Sequence, residues 1–252
     1  MNVMSPISMK LLLLSIFAIS ASCVQAAFDH SHADLTAILK KHVSNEMVDY
    51  AALKQDPDKL GAYLVKLSQV PKGEFEKWNR NQREAFLINL YNAATLKLVV
   101  DHYPVKSIKD IGNPWGKKVV KVFGSAVTLD DVEKNLLLKT FKDPRIHFGV
   151  NCASIGCPAL RDEAFQAAKL DNQLAEQTTN FLRDTSKNRV DAKNNALYLS
   201  RIFDWYQSDF KKTAGSVEKF VTPFFNNDDQ LAIGKGRLKI KYTDYDWSLN
   251  KK

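Results

Sequence analysis

The sequence contains 252 residues, which is enough for one domain of good size or two small ones. Apolar residues make up 45% and charged residues 25%, the balance of a soluble globular protein, and this excludes a low-complexity or disulfide-scaffold chain. The formal net charge of +8 favours contact with an anionic polymer or with membrane headgroups, although a solvated basic surface is the simpler explanation.

The first 26 residues predict a cleavable signal peptide. Lys10 precedes an apolar run of about ten residues, and small residues then lead to Val24 and Ala26. The run is too short for a permanent membrane anchor, which needs about 20 apolar residues. Cys23 raises the alternative of lipidation, but Ser20 stands where a lipoprotein signal normally carries an aliphatic residue. We therefore expect a periplasmic or secreted protein that begins at residue 27.

The remaining chain, 27–252, predicts a single α+β domain without a transmembrane segment. Its fold is expected to place a buried central helix on a small, mainly antiparallel sheet. Helical spacing predicts helices over 33–43, 56–67, 79–102, 130–138, 171–182, 202–210 and 217–225, with Asp171 as the cap of its helix. Alternation and turn residues predict strands over 118–123, 125–129, 145–151, 196–200 and 238–242. The first two form a hairpin that turns at Gly124, and the last is an edge strand.

The helix that begins after Asn79 is apolar on nearly every face between residues 85 and 100, which is typical of a helix buried in a core. Asn89 and Asn92 lie within it on neighbouring positions of one face. An amide buried without partners costs roughly 2–7 kcal/mol, so both must be hydrogen-bonded. They either brace a nearby loop or take part in a site.

The segment 145–158 carries the residues best suited to chemistry. As a strand, it would place Arg145, His147, Gly149 and Asn151 on one face. The loop that follows is rich in small residues, and Pro158 is suited to the first turn of a helix. That turn would put Cys157 at the N-cap.

Cys152 and Cys157 are the two cysteines left once the signal peptide is removed. A thiol beside a histidine and a helix N-terminus has a stabilised thiolate, and Cys, His and Asn together serve nucleophilic thiol catalysis. An oxidising compartment equally allows the two cysteines to form a disulfide. All five histidines precede Cys152, the reverse of the order usual in papain-like enzymes. A zinc site at His147, Cys152 and Cys157 would have no second Cys or His as its fourth ligand, although Asp162 or Glu163 could serve. We predict neither metal nor cofactor.

Several separated blocks resemble the family known as domain of unknown function 547. The resemblance covers about residues 74–250 and implies a domain type without a settled reaction. It rests on Asn89-Leu-Tyr91-Asn92-Ala, Tyr103-Pro104-Val-Lys-Ser107-Ile108, Leu129-Asp-Asp131-Val-Glu133, His147-Phe-Gly-Val-Asn151-Cys152-Ala-Ser154-Ile-Gly156-Cys157-Pro158, Phe203-Asp-Trp205-Tyr206-Gln-Ser-Asp209-Phe210 and Asp246-Trp247-Ser248-Leu249-Asn250.

Two hypotheses follow for an exported protein. In the first, a thiol-dependent hydrolase or acyl transferase acts on an anionic envelope polymer or peptide. Cys152 is then the nucleophile, with Cys157 as the alternative, His147 is the base, and Asn89 or Asn151 orients or stabilises. In the second, the chain is a non-catalytic binding or scaffold domain with a Cys152–Cys157 disulfide. Neither predicts a nucleic-acid partner, and the sequence leaves the oligomeric state open.

Overall fold

In the computed structural model, which describes residues 27–252, the chain is arranged around one long helix, α5, Arg80–His102. Asn79 begins this helix through a capping box, in which its side chain accepts from the backbone of Gln82 while the Gln82 side chain accepts from that of Asn79. The helix is buried from Glu84 to Val100 apart from one position, as the sequence predicts. The predicted signal peptide, residues 1–26, lies outside the described residues.

The elements that precede α5 form a helical layer against it. Helices α2 and α3 contact α5 directly, and α1 packs on α2 and α3. A two-residue antiparallel ribbon joins α1 to α2. The bounds are α1, Ala33–His42; β1, Val43–Ser44; β2, Met47–Val48; α2, Tyr50–Gln55; α3, Asp58–Ser68; and α4, Lys72–Phe75.

The predicted hairpin and helix after α5 are confirmed. Strands β3, Val120–Val122, and β4, Ser125–Val127, pair antiparallel across a turn at Gly124, whose φ of 76° suits glycine. The next helix, Asp131–Leu138, is wound as a π-helix and continues into α6, Lys139–Phe141. The π-helix packs against α5.

The predicted strand at 145–151 is wrong, because Ile146–Gly149 forms a short helix, α7. Ile146 and Val150 are buried in one hydrophobic cluster, whereas Phe148 is buried in another. Ile146, Phe148 and Val150 alternate as in a strand, but Ile146 and Val150 are also four residues apart, which is about one helical turn. The spacing therefore fits either structure, and burial on both sides of the segment selects the helix.

The C-terminal part combines helices with a three-stranded sheet. Helix α8 is Leu170–Arg183; Asp171 lies in its first turn but does not cap it, contrary to the prediction. Strand β6 pairs antiparallel with β5 and parallel with β7, which is an edge strand as predicted. The remaining bounds are β5, Arg189–Asp191; β6, Ala196–Leu199; α9, Ile202–Trp205; α10, Gln207–Ala214; α11, Val217–Val221; α12, Asn227–Gly234; and β7, Lys239–Tyr242.

Buried side chains form two clusters. The first core surrounds α5 and is mainly aliphatic, whereas the second core lies between α8, β6 and α10 and centres on Phe148, Phe181, Phe203 and Phe210. The α+β class with mainly antiparallel pairing is confirmed, with the strands divided among three small sheets. Within residues 27–252, no helix is both long enough and apolar enough to cross a membrane.

Candidate functional site

A cleft of about 310 Å³ opens where the two cores meet. Its lining comes from six parts of the chain. They are α5, the loop at 113–115, the π-helix, the segment from α7 through the cysteines, α9, and the C-terminal segment, residues 243–252. Six aromatic side chains contribute to its walls, namely Tyr91, Trp115, Trp205, Tyr206, Tyr245 and Trp247. Pockets lined by aromatic rings with a few polar groups are typical of ligand sites.

Three of these rings form a continuous wall. The ring centroids of Trp205 and Tyr245 are 4.9 Å apart, and those of Tyr245 and Trp247 are 4.6 Å apart. Trp115 meets Trp247 edge-on at 5.7 Å. Trp205 is 48% exposed, an unusual position for so large an apolar side chain. The wall therefore presents aromatic surface to whatever enters the cleft.

Glu133 lies in the cleft as a buried carboxyl group, with 7% of the residue exposed. The Tyr206 hydroxyl donates to it at 2.7 Å. Burial raises the pKa of Tyr206 well above its usual value, and the neighbouring Glu133 carboxylate adds to the effect. Among residues 27–252, no Lys, Arg or His nitrogen lies within 4.0 Å of this carboxylate. Glu133 is thus hydrogen-bonded but has no cationic partner within the described part of the chain.

His147 is held in place by a second carboxylate. Its Nε2 lies 3.1 Å from Oδ2 of Asp209, and the ring of Tyr206 packs on the imidazole with 4.0 Å between centroids. The hydrogen bond to His147 keeps the pKa of Asp209 below its usual value. Helix α7 supplies the histidine and α10 the aspartate, so this pair joins the two parts of the fold beside the cleft.

Cys152 and Cys157 form a disulfide that lines the cleft. The Cys152 sulfur lies 3.2 Å from the Tyr245 hydroxyl and 3.1 Å from Oγ of Ser154. The predicted N-cap position of Cys157 is wrong, because no helix follows Pro158. The loop that carries both cysteines, the cysteine loop, is held instead by backbone hydrogen bonds to the C-terminal segment.

The close fit of that pairing depends on Gly156. Its N–H donates to the carbonyl oxygen of Asp246 at 2.8 Å. A Cβ atom at this position would lie 2.9 Å from the Tyr245 ring and 3.0 Å from the backbone nitrogen of Asp246. Because glycine has no side chain here, Tyr245 can approach the disulfide.

The predicted amides are buried and hydrogen-bonded, and they hold backbone in different places. Asn92 donates to the Gly149 carbonyl oxygen at 2.9 Å and accepts from the N–H of Asn151 at 2.8 Å, so it braces the start of the cysteine loop. Asn89 makes the same two-way contact with the backbone of Phe165, away from the cleft.

Asn151 bonds within the loop. Its amide nitrogen donates to the Pro158 carbonyl oxygen at 2.8 Å, and its oxygen accepts from the N–H of Ala153 at 2.9 Å. The structure therefore brings Cys152, Cys157 and His147 to one cleft, with Asn151 beside them in the loop. Catalytic roles for these residues stay predictions.

Sequence reasoning assigned no role to Glu133, Trp205, Tyr206, Asp209 or Trp247. All five lie in the blocks that carry the family resemblance, which was the one available signal. Spacing cannot bring them together, because they come from the π-helix, α9, α10 and the C-terminal segment. Within residues 27–252, no group of three or more His, Cys, Asp or Glu side chains is placed to hold a metal ion.

Comparison with known families agrees with the four motif blocks between residues 89 and 158, whereas the blocks at 203–210 and 246–250 lie outside the match. Residues 75–182 match the family described as "Protein of unknown function, DUF547". The predicted resemblance to this family is confirmed over residues 75–182. The matched residues include α5, the π-helix, α7 and the disulfide, whereas α9 and the C-terminal segment complete the cleft from outside them. No curated protein and no solved structure matches the chain.

Proposed function

We propose that this DUF547 protein is an exported binding domain, in the periplasm or outside the cell, whose aromatic cleft holds part of an envelope polymer or peptide. The observation that carries the proposal is the wall formed by Trp205, Tyr245 and Trp247. Trp205 is exposed and the other two rings are partly buried, so the wall keeps apolar surface in contact with water that a bound ligand would cover. The net charge of +8 for the whole sequence favours an anionic polymer.

The disulfide supports binding over catalysis. A nucleophilic thiol must be free, whereas the Cys152 sulfur is bonded to Cys157. Asn151 is fully engaged with the loop backbone, as is Asn92 with Gly149 and Asn151. These contacts make the loop a rigid side of the cleft, which reduces the ordering cost of binding.

A thiol-dependent hydrolase is the second candidate, favoured by the presence of Cys152 and His147 in one cleft. A reductant would first have to open the disulfide. The Cys152 thiolate would then attack an acyl carbonyl carbon and expel the leaving group, which takes up the proton held by His147. Water would cleave the resulting thioester and return the free thiol.

Saturation-transfer NMR with soluble glycopeptides released from bacterial cell walls tests the binding proposal. We expect signals with the oxidised protein, their loss in Trp205→Ala, and their retention when Cys152 and Cys157 are both replaced by Ser. Removing so short a disulfide loop should cost roughly 2 kcal/mol, which a domain with two cores tolerates. No signal with the oxidised protein would contradict the proposal.

The same glycopeptides distinguish a hydrolase from a binding domain. Incubation with reduced protein would give shorter products by mass spectrometry if Cys152 is a nucleophile, and Cys152→Ser would abolish them. Products that form only after reduction would favour the hydrolase. Thiol titration of the native and the unfolded protein shows which redox state was present.

A further inference from the structure

We propose that the cleft binds an organic cation, an alkylammonium group of the ligand, between the aromatic wall and Glu133. This inference rests on the proposed binding function and names the chemistry of the group that the cleft receives. Its basis is the one buried carboxylate that lines the cleft, which has no cationic partner among residues 27–252.

The other charged groups around the cleft pair with one another, whereas Glu133 has no charged partner among the described residues. Lys134, on the same helix, also lines the cleft, but it pairs with Asp130 at 3.0 Å, with 55% of its side chain exposed. His147 faces Asp209 at 3.1 Å, and Lys212 lies 3.9 Å from the other oxygen of Asp209. Glu133 accepts the Tyr206 hydrogen bond, but this bond carries no formal positive charge. Burying a carboxylate without a counter-charge is costly, and a bound cation would remove that cost.

The walls suit the same kind of ligand. The face of an aromatic ring carries partial negative charge, so it attracts an ammonium group within about 6 Å of the ring centroid. One ring of the wall already takes part in such a contact, because Nζ of Lys109 lies 3.7 Å from the centroid of Trp247. Trp205 and Tyr245 offer further rings beside it. Aromatic cages are the arrangement that recognises quaternary ammonium ligands, and here the rings share the cleft with a carboxylate.

This chemistry is opposite in sign to the protein as a whole. The chain has a net charge of +8, so long-range attraction favours an anion. The cleft instead places a carboxylate and aromatic faces at short range, where they act on a cation that has lost its water. A ligand that carries both charges, such as a peptide or an amino-bearing polymer, satisfies the surface and the cleft together.

Choline and its uncharged carbon isostere, 3,3-dimethylbutan-1-ol, are the probes that test the inference. Both have the same shape at the branched end and differ in charge there. Tryptophan fluorescence of the full protein reports their binding, since Trp205 and Trp247 line the cleft. We expect choline to bind at least tenfold more tightly than the alcohol.

Two variants assign the effect to the site. Glu133→Gln keeps an acceptor for the Tyr206 hydroxyl and removes the charge, so choline affinity should fall at least tenfold while that of the alcohol is unchanged. Asp228→Asn removes an exposed carboxylate of α12 and serves as the matched control, with choline affinity unchanged. Trp205→Ala, at an exposed position, should weaken both probes without loss of folding, as thermal unfolding will show.

Each other result overturns the inference. Equal affinity for choline and the alcohol would show an apolar cleft without preference for a cation, and so would a Glu133→Gln variant that binds choline normally. Absence of choline binding would also reject it. The proposed binding function is judged separately by the glycopeptide experiment, so it can stand when the cation inference fails.

Discussion

The two cores of this molecule are built differently, and the cleft lies between them. The first core packs aliphatic side chains around one long buried helix, whereas the second core packs phenylalanine rings contributed by four helices, α7, α8, α9 and α10. Helix α7 belongs to both, because Ile146 faces the first core and Phe148 the second. Its polar residue, His147, is left at the boundary. A site at such a boundary takes side chains from both cores.

The two asparagines of α5 give the sharpest test of this division, with the largest expected effect. Asn92→Leu and Asn89→Leu each leave one buried backbone donor and one acceptor unpaired, at about 1–3 kcal/mol for each group. We expect both variants to lose roughly 2–5 kcal/mol of unfolding free energy in urea denaturation. Only Asn92→Leu should also weaken binding to the cleft, because only Asn92 holds the cysteine loop.

Equal loss of binding in the two variants would contradict this separation. It would mean that the first core controls the cleft as a whole, through the position of α5. Binding is measured under conditions where circular dichroism shows both variants to be folded.

Two carboxyl groups, one in each region, make stability depend on pH in opposite directions. Glu84, on α5, is buried, and burial raises its pKa to about 7 from 4.5. Asp143 also raises this pKa, whereas Arg80 and Arg145 lower it. Between pH 4.5 and about pH 7, Glu84 holds a proton in the folded protein that it has released in the unfolded chain. The free energy of unfolding therefore falls as the pH rises.

Glu84→Gln should therefore gain stability relative to the wild type between pH 4 and pH 8, by about 3 kcal/mol. Asp209→Asn should behave in the opposite way. The pKa of Asp209 is lowered by His147, so its contribution is present at neutral pH and is lost as the pH falls through the folded-state value. Urea denaturation across the pH range measures the stability of both variants. If the unfolding free energies of wild type and Glu84→Gln changed with pH in parallel, the prediction for Glu84 would be refuted.

The smallest effects come from two glycines. Gly156→Ala should cost about 1–3 kcal/mol, because the new methyl group overlaps the Tyr245 ring and the Asp246 backbone. Gly61→Ala, within α3, meets no atom within 4 Å and should stabilise by about 0.5–1 kcal/mol. Thermal unfolding compares them. A tolerated alanine at 156 would show that Tyr245 moves away from the disulfide easily.

The sequence by itself determined the elements whose signals are local. Helix α5 was predicted from its cap at Asn79 and its unbroken apolar run, and the hairpin at 120–127 from its turn at Gly124. The burial of Asn89 and Asn92 followed from their place in that helix. The proximity of Cys152 and Cys157 followed from their spacing, although the choice between a thiol and a disulfide did not.

Only the tertiary structure decided what lies around those cysteines. Alternation at 145–151 fits a strand or a helix, and the presence of a core on each side selects the helix. Glu133, Trp205 and His147 reach the cleft from three separate elements, and Asp209 bonds His147 beside it. No local periodicity records such contacts. The candidate site is therefore a product of how two cores pack together, whereas the long helix is a product of its own sequence.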